Sequence, residues 1–155
     1  MTKIHFIKFN LFILVTFLIF SCDNSINRND KYADSRKIYK EAIKIHDEVM
    51  PLMGEIMKLQ KSLKSKKEKI SDSQTVQEIN ESLQKLEDAH QSMMVWMRTL
   101  TPIPEYKESE VDQSIELPSP DEMLEIQKSS LQSVKIVKEL ILSSIEEGNK
   151  LLTSL

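Results

Sequence analysis

Cys22 is the only cysteine in the chain, and it follows directly on an apolar run, Phe9-Asn-Leu-Phe-Ile-Leu-Val-Thr-Phe-Leu-Ile-Phe20. Lys3 and Lys8 stand before that run, and the small Ser21 closes it. A thiol in that place is a candidate for lipidation: a basic start, an apolar stretch, then Ile19-Phe20-Ser21-Cys22 in the layout of a lipobox. The run is too short for a hydrocarbon core that needs about 20 residues, and it has the length of a signal h-region. Lipidation with cleavage just before Cys22 is the favoured reading over a secretory leader with an incidental cysteine. The modified residue would then carry at least a diacylglyceryl group, and two or more acyl chains hold a protein stably on a membrane.

The next candidate chemistry is imidazole with thioether. His46 falls in a stripe with Met50, Met53 and Met57, and His90 lies beside Met93, Met94 and Met97. Soft sulfur with imidazole is a ligand set for Cu(I), and a His/Met pair can ligate haem. A cluster of His46, Met50, Met53, His90, Met94 and Met97 could therefore hold copper or haem in a bundle interior. The plainer reading is core, because methionine fills gaps between helices and a boundary histidine bonds to a neighbouring carboxylate. Haem attached through Cys-x-x-Cys-His is excluded, because that motif is absent.

Asp47-Glu48 with Glu55, and Glu87-Asp88, are adjacent acids, but neighbours in a helix point apart and read as solvated surface. No Gly-rich phosphate loop, nucleophile elbow or metalloprotease motif occurs. The expectation is a protein without catalytic residues and without a cofactor. Trp96, the single tryptophan, fits the core where the second and third helices meet, or a partner contact, since tryptophan is favoured at interface hot spots.

Charge narrows the partners. From Cys22 onward 19 basic and 24 acidic side chains give a formal −5. That balance argues against nucleic acid, which needs a basic footprint, and against a basic patch for anionic lipid. With one cysteine no intramolecular disulfide is possible, so the fold depends on its core.

Helices must position these side chains. Residues 23–32 are polar and aperiodic and read as a tether. From Ile38 apolar residues recur at 38, 42, 45, 49, 52, 56, 59 and 63, an amphipathic seam with alternating steps of four and three. Tyr39, Ile43, His46, Met50, Met53 and Met57 widen it enough for two neighbours. Pro51 and Gly54 predict a kink near 47–54. Ser71-Asp72-Ser73 signals a turn, and Thr75-Val-Gln-Glu78 has capping-box spacing. A second seam runs through Val76, Ile79, Leu83, Leu86, His90, Met93, Met97 and Leu100, widened by Ala89 and Trp96, until Pro102 and Pro104 end it. Residues 101–120 hold four of the five prolines and five acids, a long aperiodic linker. Ser119-Pro-Asp-Glu122 then starts a third helix with an apolar face through Leu124, Leu131, Val134, Val137, Ile141, Ile145, Leu151 and Leu152.

The fold class that follows is all-α: an antiparallel three-helix bundle with coiled-coil-like packing and a kinked first helix. The domains are a signal peptide over 1–21, a lipid-anchored tether over 22–32 and a bundle over 33–155. The third helix could run either way, because a linker of about 20 residues spans more than 60 Å when extended.

His46-Asp-Glu-Val-Met-Pro-Leu-Met-Gly-Glu-Ile56 and Asp88-Ala-His-Gln-Ser-Met-Met-Val-Trp-Met97, with the lipobox, resemble a group of small uncharacterised lipoproteins from Bacteroidota. Some of that group carry the label "viral A-type inclusion protein", which reflects generic coiled-coil likeness. The resemblance implies an envelope lipoprotein from such a bacterium and no known activity; the expected address of the anchored protein is the outer membrane. Taken together, the expectation is a lipid-anchored, non-catalytic helical interaction module, held to the membrane at Cys22, with an envelope protein as partner and no nucleic acid. The alternative is a copper- or haem-binding bundle.

Overall fold

The computed structural model describes residues 30–103 and 117–155. The expected signal peptide, Cys22 and most of the expected tether lie outside the described residues, as does most of the acidic linker. The described residues are 84 % helical and contain no strand. Four helical segments make three rods: α1 (Ala33–Val49), α2 (Leu52–Lys67), α3 (Ser73–Thr99) and α4 (Pro120–Ser154).

The first rod is α1 and α2 joined through Met50 and Pro51, with a bend of 37°. Pro51 has no N–H to donate, so the ladder loses a rung there. Its φ of −59° is nevertheless helical, which lets the chain bend without breaking. Either side of it, Met50 N–H donates to the His46 carbonyl at 2.9 Å and Met53 N–H to the Met50 carbonyl at 3.2 Å.

α3 begins differently from the sequence expectation. Its N-cap is Asp72, whose carboxylate accepts from Thr75 N–H at 2.8 Å and from the Thr75 hydroxyl at 2.7 Å. A carboxylate satisfies the free N–H groups and answers the positive end of the helix dipole, so the helix starts three residues before the Thr75–Glu78 box. At α4 the expected Ser119 N-cap is present, and Glu122 completes a capping box with it: Ser119 Oγ accepts from Glu122 N–H at 3.3 Å, and Glu122 accepts from Ser119 N–H at 2.8 Å.

Cross-contacts give the directions. Glu41 pairs with Lys135, Glu48 with Lys138 and Glu55 with Asn149, so the first rod and α4 run parallel. Gln60 with Glu87, and Trp96 with Ser130, set α3 antiparallel to both. The linker therefore leaves and re-enters at one end of the bundle. Thr101 at its start accepts from Gln127 at 2.9 Å, and Pro118 at its end accepts from the Tyr32 hydroxyl at 2.7 Å. Tyr32, read from sequence as tether, is buried beneath that end and belongs to the bundle. α1 packs mainly along α4, whereas α2 packs on both α3 and α4.

The core contains Ala42, Val49, Ile56, Leu63, Ile79, Leu86, Met93, Val134 and Ile141. In α3 its line runs through Ile79, Ser82, Leu86, Ala89, Met93 and Trp96. Of the expected seam, Ile79, Leu86 and Met93 are core, whereas Leu83 and His90 are half-buried on the flank and Met97 is exposed. Small residues decide this, because Ser82 and Ala89 let the rods approach, as Ser144 and Gly148 do in α4. A Cβ on Gly148 would lie 2.6 Å from Leu59 Cδ2 and 3.5 Å from Leu86 Cδ1, so all three rods meet at that layer. Met57, placed by sequence on the inner stripe, is 61 % exposed. After the bend the inward face of α2 is Met53, Ile56, Leu59 and Leu63, which turns Met57 outward.

Candidate functional site

Trp96 is the hub of the upper bundle. It is 4 % exposed, and its indole N–H donates to the Ser130 carbonyl on α4 at 3.0 Å. On its other side the His46 ring stacks on it, with centroids 5.5 Å apart and planes 28° from parallel. Trp96 thus joins α1, α3 and α4, as a core tryptophan where the second and third rods meet.

The same indole forms part of a groove between α3 and α4 with a volume of about 910 Å³. Its α3 wall includes Asp88, Ser92 and Val95, and its α4 wall includes Ile126, Ser129 and Ser133. Short hydroxyl side chains leave the two rods unfilled there. The Ser130 hydroxyl, also lining the groove, is buried without a hydrogen-bond partner. Val95 is 49 % exposed, and Ile136 and Leu140, three and seven positions past Ser133 on one helix face, are 49 % and 42 % exposed. An apolar strip therefore borders the groove, with carboxylates Asp88 and Glu125 among its lining. Periodicity finds core positions, and this groove arises from serines that periodicity passes over.

The His/Met set divides. His46 Nδ1 bonds to Asp47 at 3.0 Å, and its Nε2 is buried without a partner. Met53 is buried, Met50 half-buried, and Met94 and Met97 are exposed at 38 % and 39 %. His90 is half-buried. His46 meets α3 at Trp96, six residues and about 9 Å along the axis from His90. Among the described residues no group of three or more His, Cys, Asp or Glu side chains is arranged to hold a metal ion.

The acids are held by neighbouring side chains. Glu48 is held below the usual carboxylate range by its hydrogen bond and ion pair with Lys138. Glu87 is lowered by hydrogen bonds from Gln91 and Gln60. Asp47 bonds to His46, and Asp88 accepts from Gln84 at 2.8 Å. No helix among the described residues is long and apolar enough to cross a membrane.

No family model, no curated protein and no solved structure matches the chain.

Proposed function

We propose that the protein is a lipid-anchored, non-catalytic interaction module of a bacterial cell envelope, held to the outer membrane through Cys22. Its binding surface in this reading is the α3–α4 groove, and the occupant is an amphipathic helix of a partner protein with a basic flank. The observation that carries the reading is the apolar strip of Val95, Ile136 and Leu140 beside a groove floored in part by Trp96. Two antiparallel rods with small side chains between them offer the seat of a fourth helix, and helix-in-groove docking uses anchors at three- and four-residue spacing. Asp88 on the α3 wall sets the charge that the partner must complement, whereas Glu125 is already paired with Lys128. The lipobox ending at Cys22 supports the anchor.

The test is affinity capture of the tagged full chain from detergent-solubilised membranes of its own cells, beside a Val95→Asp/Ile136→Asp variant. A defined protein should come with the parent chain and be lost with the variant. Capture of nothing, or of the same proteins by both chains, defeats the reading.

A further inference from the structure

Five lysines of this protein are tied down in ion pairs: Lys37 with Asp34, Lys85 with Glu147, Lys128 with Glu125, Lys135 with Glu41 and Lys138 with Glu48. The lysines of residues 58–69 are different. That stretch of twelve holds six lysines and one glutamate, a local +5 in a chain of net −3. None of the six makes an ion pair among the described residues, and all but the half-buried Lys67 are exposed. Glu87 across the rods is engaged by Gln60 and Gln91 and only feels Lys64 at longer range. The helix dipole favours cations at the end of α2, but it acts within the last turn and the cluster covers three. Net charge hides this segregation.

The cluster also has a shape. Met57, Gln60, Lys61, Lys64, Ser65 and Glu68 line a shallow groove of about 430 Å³ along the outer face of α2. Met57 stands open in it, a flexible apolar side chain beside two cations, an amide, a hydroxyl and, at the far end, the Glu68 carboxylate, which the cations outnumber. Lys58, Lys61, Lys64 and Lys66 fan over about 200° of the helix at about 100° per residue, and Lys69 follows in the turn beyond it. This end is opposite the Tyr32–Pro118 end, about 50 Å away along α4.

We infer that this end of α2 binds an acidic polysaccharide. The carboxylates of the sugar chain meet the fanned lysines, the C–H face of a sugar ring lies on Met57, and Gln60 and Ser65 offer polar contacts to ring hydroxyls. A flat anionic membrane reaches only one side of such a fan, whereas a flexible chain follows it. A nucleic acid is disfavoured because residues 57–69 contain no aromatic ring and no arginine on which bases could stack. This surface is separate from the α3–α4 groove and does not depend on it.

The experiment measures binding of the full-length protein, in neutral detergent, to a polyuronate oligosaccharide at low and high salt. Wild type should bind at low salt and release at high salt, as screened charge contacts do. Lys61→Gln/Lys64→Gln/Lys66→Gln, all at solvent-facing positions, should bind about tenfold more weakly or worse, in line with losing three cation–anion contacts. Lys40→Gln/Lys44→Gln on α1 should bind as wild type. Met57→Ser should weaken polyuronate binding and leave any binding to inorganic polyphosphate unchanged. The inference is overturned if the triple variant binds polyuronate like wild type, if no salt-sensitive binding occurs, or if polyphosphate, a single-stranded oligonucleotide or anionic vesicles bind wild type more tightly than polyuronate.

Discussion

The His46 imidazole lies against the Trp96 indole, ring centroids 5.5 Å apart, and this stack bridges α1 to α3 where the two helices otherwise touch little. The bend at Pro51 directs α1 along α4, and the stacked pair braces it on the α3 side. Offset aromatic pairs contribute about 0.5–1.5 kcal/mol beyond the area they bury. A double-mutant cycle of His46→Ala and Trp96→Leu in urea, each change removing one ring of the stack, should therefore give a coupling in that range. Additivity within about 0.3–0.5 kcal/mol would mean the rings are neighbours without interaction.

Two glycines should respond with opposite signs. Nothing lies within 4 Å of a Cβ placed on Gly54, so Gly54→Ala should stabilise the protein by about 0.5–1 kcal/mol through helix propensity. A Cβ on Gly148 meets Leu59 Cδ2 at 2.6 Å and Leu59 Cγ at 3.2 Å. Leu59 is buried in the shared layer, so overpacking of about 1–3 kcal/mol outweighs the propensity gain. Gly148→Ala should lower the urea midpoint, and Leu59→Val in the same chain should recover part of the loss.

Acid should weaken the bundle in a defined window. Hydrogen bonds from the Thr75 hydroxyl and N–H lower Asp72, bonds from Ser119 lower Glu122, and Lys138 lowers Glu48. A depressed folded-state pKa means that the unfolded chain binds more protons in acid. The stabilisation is present above the ordinary carboxylate range and is lost as pH falls through it. Lys85, raised by its hydrogen bond and ion pair with Glu147, works the other way and loses its contribution only in strong alkali. Urea midpoints should stay level from neutrality to about pH 5 and fall between about pH 5 and pH 3. Glu122→Gln should shallow that fall, and an unchanged profile in this variant would detach the α4 cap from acid sensitivity.

The groove residues should be cheap to change. Val95 and Ile136 are half exposed, so Val95→Asp and Ile136→Asp should each alter stability by no more than about 0.5 kcal/mol. Thermal melts followed by circular dichroism check this, and a large drop in either would show that the strip belongs to the core.

Much of the fold is legible in the residue pattern. The seam of the first rod, the bend at Pro51 and the Ser119 N-cap all rest on local chemistry that a sequence displays. The direction of α4 is not local: a long linker permits both directions, and cross-rod contacts such as Glu41–Lys135 decide between them. Which flank of α3 is core turns on Ser82 and Ala89, small residues that a hydrophobicity reading undervalues. The N-cap moved from Thr75 to Asp72 because both fit the spacing and the carboxylate is the stronger acceptor. Trp96 was readable as a meeting point of helices, but the groove beside it was not, because Ser129, Ser130 and Ser133 look like ordinary solvated positions in sequence. The lysine end was masked by an overall negative charge.

Site-specific photo-crosslinking reads out whether a partner helix occupies the proposed α3–α4 face in the cell. A photoreactive benzoylphenylalanine placed at Val95 or Leu140 in the full chain, and at Lys40 as the control, is irradiated in living cells. Docking of a partner helix on this face should give one discrete crosslinked protein from Val95 and Leu140 and none from Lys40. Crosslinks equal at all three positions, or absent from Val95 and Leu140, would contradict it.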